Sequence, residues 1–265
     1  MLGLGIVRFT NKIIAPLNIK ISNLKYDDSF YPVEASKRDI EIMDYILSPQ
    51  DTKNRLSMVS SNRLWAVIQA TKYIIKNEIE GDFVECGVWR GGCSLAMAMV
   101  LDELKVDRKI FLYDTFAGMT QPTKYDKNFS DINAKSSFER LKKDDDSCDW
   151  DFASIEDVQE QFKKIGLEEK AVFIKGDVLK TLKEESNLPK EISLLRLDTD
   201  FYESTKYEMD ILFPRLQKDG VLLLDDYGHW KGSRKAVDEY LTKYDLIYQY
   251  LIWKTDYTGR GLIKK

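Results

Sequence analysis

Five short apolar runs punctuate the chain from residue 82 onward: DFVEC at 82–86, KIFLYD at 109–114, AVFIK at 171–175, ISLLRLD at 192–198 and VLLLD at 221–225. Each reads as a strand with almost no apolar–polar alternation, and such strands are buried on both faces. Helical stretches separate them, at Ser94–Leu104, Ile155–Ile165, Glu203–Leu216 and Gly232–Tyr244. Strand–helix alternation of this kind predicts an α/β fold, a doubly wound and mostly parallel sheet covered by helices on both faces. Acidic residues recur at the strand ends: Glu85, Asp114, Asp198 and Asp225. In open α/β sheets the carboxyl edge is where ligands bind.

With 265 residues, the chain has room for one domain of ordinary size and an extension. Residues 1–54 read as an N-terminal arm that carries a charged helix near Ser36–Leu47, and 55–265 as the domain. Within the domain, Ser61–Lys76 has helical apolar spacing, with Ser61 as N-cap. The polar stretch 120–151 interrupts the alternation after the second strand and is expected to form a lid. Lys+Arg 40 against Asp+Glu 44 leaves a net charge of −4, which excludes nucleic-acid binding by bulk charge. No apolar run reaches the ~20 residues of a membrane span. Three cysteines without a CxxC pair fit a reducing cytoplasmic setting. An arm packed on the body or on a second subunit suggests a homo-oligomer. The single histidine, His229, rules out metal sites built on several histidines.

The segment Glu85-Cys-Gly-Val-Trp-Arg-Gly-Gly-Cys-Ser94 follows a strand and opens a helix, which is the setting of a cofactor-binding turn. Glu85, Gly87, Trp89 and Gly91 are its candidate binding residues. A carboxylate two positions before the first glycine would repel a pyrophosphate but suits a cationic ligand. S-adenosylmethionine, with its sulfonium and amino groups, is therefore favoured over NAD. Asp114, ending the next strand, is placed to accept the ribose hydroxyls.

The fourth and fifth strands end in Asp198 and in Asp225-Asp226, and one helical crossover separates them. Three carboxylates converging without basic partners repel one another unless a divalent cation neutralises them. Oxygen-only ligands select Mg²⁺, or else Mn²⁺ or Ca²⁺. Asp200 is read either as a further member or as the cap of the helix that begins near Ser204. Two other readings stand beside this one. Asp198-Thr199-Asp200 is also the D-x-D of metal-dependent nucleotide-sugar glycosyltransferases, and the chain could be a non-catalytic methyltransferase-like scaffold.

Together the motifs GDFVECGVWRGG (81–92), FLYDTFAGM (111–119), LRLDTDFYEST (195–205), LLLDDYGHWKGSRKAVDEY (222–240) and TGR (258–260) resemble the macrocin O-methyltransferase family, TylF/MycF-like, of class I S-adenosylmethionine-dependent methyltransferases. The resemblance spans roughly residues 55–263. It implies a Mg²⁺-dependent O-methyltransferase acting on a sugar hydroxyl of a glycosylated small molecule. Carried over by residue, Glu85, Gly87 and Asp114 would hold S-adenosylmethionine, and Asp177 would lie near the adenine. Asp198, Asp225 and Asp226 would bind the metal, and Met58-Val-Ser60 would fold over the cofactor. Some members are thought to use a histidine in the variable region as general base, and this chain has none there. Asp198 and His229 are the two candidates for that role.

Overall fold

A computed structural model describes residues 31–48, 51–144 and 147–265. The stretch 1–30, part of the expected arm, lies outside the described residues. The sheet has seven strands in the order β3-β2-β1-β4-β5-β7-β6. β1 (Asp82–Cys86), β2 (Ile110–Asp114), β3 (Ala171–Lys175), β4 (Ile192–Leu197) and β5 (Leu216–Leu224) are parallel. β6 (Trp253–Lys254) and β7 (Arg260–Ile263) complete it as an antiparallel pair beside β5. The chain winds outward from β1 to β3, then returns to lay β4 against the other side of β1. That reversal opens a crevice at the carboxyl ends of β1 and β4. The doubly wound sheet expected from the apolar runs is the observed fold.

β1 and β4 are nearly dry, with Phe83, Val84, Ile192, Leu194 and Leu195 fully buried. α3 (Gly92–Glu103) explains its own position, since every residue from Gly92 to Leu101 is buried. A helix apolar on all sides must be covered on all sides. The sheet covers one side, and α1 (Lys37–Leu47) and α2 (Ser61–Lys76) cover another. α1 starts with a reciprocal capping box between Ser36 and Asp39 and buries Ile42, Met43 and Ile46. Each such side chain contributes about 1.5–3 kcal/mol by burial. The N-cap of α2 is Ser60, whose hydroxyl accepts the Arg63 amide, and not Ser61, which is the first helical residue.

Two boundaries depart from expectation. α7 (Tyr202–Ile211) ends five residues early, because Phe213–Arg215 forms a 3₁₀ turn at Pro214 and Leu216 already begins β5. The exposed Lys218 and Asp219 lie inside β5, so the apolar run Val221–Leu224 marks only its inner half. β6 and β7 were not expected; they are too short to form a run.

Among the described residues of the 120–151 stretch, α4 (Lys135–Leu141) is the one α-helix, and α5 (Ile155–Lys164) follows it. The stretch is closed at its root by Cys148 N–H to Ala117 O (2.8 Å) and Met119 N–H to Trp150 O (3.0 Å). Its buried Asp126 accepts the Tyr202 amide at 2.7 Å, capping α7 from outside that helix.

Candidate active site

A cavity of about 390 Å³ opens at the crevice between β1 and β4. One end is formed by Asp114, Asp177 and Trp89, and the other by Asp198, Asp200, Asp226 and His229. Trp150 and Asp151, at the root of the 120–151 stretch, wall it from above.

At the first end, Gly87 (φ +80°) lets the chain turn where a Cβ would stand 2.0 Å from the Asp198 carbonyl oxygen. The β1 turn and the β4 end pass each other only because that atom is missing. Asp114 organises the turn by accepting the amides of Val88 (2.6 Å), Trp89 (3.1 Å) and Phe116 (2.7 Å). Burial nevertheless pushes its carboxyl above the ordinary range. The fourth acceptor position is filled only by a long bond from the Thr115 hydroxyl at 3.5 Å, which a ligand hydroxyl could replace. Asp177 caps α6 (Val178–Thr181) through the Leu179 amide and lines the cavity. Met58 also lines it, whereas Ser60 and Gly91 do not. The Ser60 hydroxyl donates to Asp256 at 2.6 Å. Gly91 (φ +82°) is the N-cap of α3 and faces Val158, 2.7 Å from where its Cβ would be.

Glu85 is 1% exposed, and both its oxygens are engaged, by Arg196 and by the Ser94 hydroxyl. Burial raises its carboxyl above the ordinary range even so. Arg196 is the residue the spacing argument overlooked. Lying in β4 beside Glu85 of β1, it is 3% exposed and pairs with Glu85 Oε1 (2.5 Å), Asp198 Oδ2 (2.7 Å) and Asp225. Arg63 of α2 takes the other oxygen of Asp225 and also bonds Asp256 at 2.9 Å. The premise that the carboxylates lack basic partners is therefore corrected. A charge inside the run ISLLRLD was the available signal, because a buried arginine requires anionic partners.

The arginines divide the acidic residues. Asp225 is held by two cations, while Asp198, Asp200 and Asp226 bring carboxylate oxygens within 4.8 Å of one another. Asp200 (φ +65°) does not cap α7; it turns into the cavity and bonds with Asp226. Burial drives Asp198, Asp200 and Asp226 well above the usual carboxylate range. Asp226 Oδ2 is buried without a hydrogen-bond partner. An unsatisfied, desolvated oxygen within a hard-oxygen donor set fits a divalent cation such as Mg²⁺.

His229 follows on the loop after β5. Its ring centroid lies 5.1 Å from that of Trp230 and 5.4 Å from that of Phe129. Burial, aided by the Arg63 charge, lowers its pKa, so the imidazole is neutral at pH 7. The Trp150, Phe201 and Trp230 rings pack on one another at 5.5–6.1 Å. Each adjoins a cavity residue in sequence: Asp151, Asp200 and His229.

The macrocin-O-methyltransferase (TylF) family matches residues 23–259 of the chain. A demethyldecarbamoylnovobiocin O-methyltransferase of Streptomyces niveus is 30% identical over 198 residues, covering 73% of this chain and 70% of its own. A mycinamicin III 3''-O-methyltransferase of Micromonospora griseorubida is 27% identical over 195 residues, 72% of each chain. Among solved structures, that of the O-methyltransferase NovP covers 98% of both chains with a TM-score of 0.70 at 25% identity. The calicheamicin methyltransferase CalS11 shares the fold, with a TM-score of 0.57 at 17% identity over 92% of this chain and 98% of its own. The strand order, the glycine turn at the crevice and a match running through both ends of the cavity lead to one conclusion: the chain belongs to the macrocin O-methyltransferase family, on the Rossmann-like fold of class I methyltransferases.

Proposed function

We propose that this protein transfers the methyl group of S-adenosylmethionine to a hydroxyl of a sugar or glycosylated small molecule, with Mg²⁺ as metal cofactor. The observation that carries the reading is one cavity joining the glycine turn and Asp114 to the acidic cluster and His229. The relatives named above carry O-methyltransferase names and cover most of the chain, which supports the acceptor class.

In this reading Asp114 would hold the ribose of the sulfonium compound at the β1 turn, and Asp177 would lie on the adenine side. The acceptor enters beside the acidic cluster. Asp198 and Asp226 belong to the metal set by both resemblance and proximity; the third ligand is Asp200 by proximity or Asp225 by resemblance. The bound cation would stabilise negative charge developing on the acceptor oxygen. Neutral His229 would take the proton of the acceptor hydroxyl, while the cofactor, when bound, would supply the methyl group from its sulfonium and leave as S-adenosylhomocysteine. His229 is preferred to Asp198 because the Asp198 carboxylate already accepts from Arg196. The buried Arg196 pairs with Glu85, Asp198 and Asp225 and so lessens the repulsion among these carboxylates at the crevice. The wall formed by Trp150 excludes water from the reacting groups.

Titration calorimetry with S-adenosylhomocysteine, with and without Mg²⁺ and a panel of sugar nucleotides and glycosides, tests the proposal. Micromolar product binding, with an acceptor recruited only when Mg²⁺ is present, is expected. Absence of S-adenosylhomocysteine binding under every condition would overturn it.

A further inference from the structure

Glu208 is a fully buried carboxyl outside the proposed chemistry. It projects from α7 and has one oxygen, Oε1, without a hydrogen-bond partner. Its other oxygen, Oε2, accepts the Thr199 hydroxyl at 3.1 Å, and the Cys86 thiol at the end of β1 lies beside it. Thr199 is the central residue of the Asp198-Thr199-Asp200 turn. Its carbonyl accepts the Phe201 amide at 2.7 Å and the Ser204 hydroxyl at 3.3 Å. The opposite side of the turn is packed against Gly87, whose missing Cβ would touch the Asp198 carbonyl.

The turn therefore has a floor and a wall, and among the described bonds Glu208 is the one partner of the side chain of its central residue, the Ser204 hydroxyl binding only the Thr199 carbonyl. The anchor is needed because Asp200 has a left-handed backbone (φ +65°) and no capping bond to α7. Such a conformation persists only where its surroundings enforce it. A carboxyl is a costly anchor at a dry position, where leucine or alanine would pack without penalty.

We infer that Glu208 is a positioning residue: through the Thr199 hydroxyl it holds the Asp198-Thr199-Asp200 turn in the geometry that receives the divalent cation. This rests on the metal reading proposed above. Burial lifts the Glu208 carboxyl to about 8, so at neutral pH it is mostly protonated and adds no charge below the acidic cluster. It can thus fix the turn without competing for the cation.

The test is Mn²⁺ binding followed by electron paramagnetic resonance, with S-adenosylhomocysteine affinity measured by calorimetry on the same samples. Thr199→Val keeps the shape and removes the hydroxyl. It is expected to weaken Mn²⁺ binding about tenfold while S-adenosylhomocysteine affinity stays within twofold. Glu208→Ala is expected to do the same, Glu208→Gln to restore binding to within threefold of the parent, and the double variant Thr199→Val/Glu208→Ala to be no weaker than either single one. Unchanged Mn²⁺ affinity in Thr199→Val, multiplied effects in the double variant, or a Glu208→Gln defect equal to that of Glu208→Ala would overturn the inference. Failure of the parent protein to bind Mn²⁺ at one equivalent would remove the metal reading itself. That result is read before any variant is made, so the two failures are distinguishable.

Discussion

Replacing Arg196 by methionine should expose how the buried charges are balanced. The side chain is 3% exposed and serves Glu85, Asp198 and Asp225 at once. The three would not suffer equally. Asp225 keeps Arg63, and Asp198, with 26% of its side chain exposed, can recover water. Glu85, 1% exposed, would be left with the Ser94 hydroxyl alone. Breaking a buried pair on one side costs about 3–5 kcal/mol. At roughly 2–4 °C per kcal/mol for a chain of this size, the melting temperature should fall by about 10 °C. Urea unfolding at pH 8 and pH 5.5 supplies the sign. Without its cation, Glu85 takes up a proton in the native state that the unfolded chain releases, so the variant loses stability as pH rises. Its deficit relative to the parent should therefore be smaller at pH 5.5 than at pH 8, and Glu85→Gln in the same chain should recover much of it. A deficit under about 1 kcal/mol, or one that neither pH nor Glu85→Gln alters, would refute this account.

Four shorter predictions accompany it. Gly87→Ala, which sets a methyl 2.0 Å from the Asp198 carbonyl at positive φ, should lower S-adenosylhomocysteine affinity by more than tenfold in calorimetry. Because burial lowers the His229 pKa, the acid limb of kcat/KM should fall below the ~6.5 of a free histidine, with activity lost as pH drops; His229→Asn should remove that limb. Mn²⁺ binding should be abolished by Asp226→Asn, and comparison of Asp200→Asn with Asp225→Asn identifies the third ligand, while full turnover in EDTA would exclude the metal. Asp126→Ala, which uncaps α7, should cost about 1–2 kcal/mol in urea unfolding.

The strands and their order of appearance were legible because parallel strands must be apolar on both faces, which gives short runs closed by a charge, such as AVFIK or VLLLD. The carboxyl-edge acids were legible for the same reason, since a charge that closes an apolar run has only the sheet edge to occupy. Partnership was not legible. Spacing brings Asp198, Asp200, Asp225 and Asp226 to one edge, but Asp225 is set apart from the others by its pairing with Arg63, contributed by a helix more than a hundred residues earlier. Ser60 and Ser61 are equivalent as letters, and only the backbone geometry selects Ser60 as the cap. β6 and β7 escaped because a two-residue and a four-residue strand carry no period, and their pairing with β5 is a tertiary fact.

The three-ring packing of Trp150, Phe201 and Trp230 has an evolutionary consequence. Because each ring adjoins a residue of the reacting centre, the root of the insertion, the acidic turn and the histidine loop form one mechanical block. Farther out in the insertion Ile132 is largely exposed, while Phe129 still packs its ring on His229. Under the proposed function, substitutions at such exposed positions would leave the cavity residues in register. Under the same proposal, a lineage built this way could vary the exposed face of the insertion without having to reinvent its chemistry.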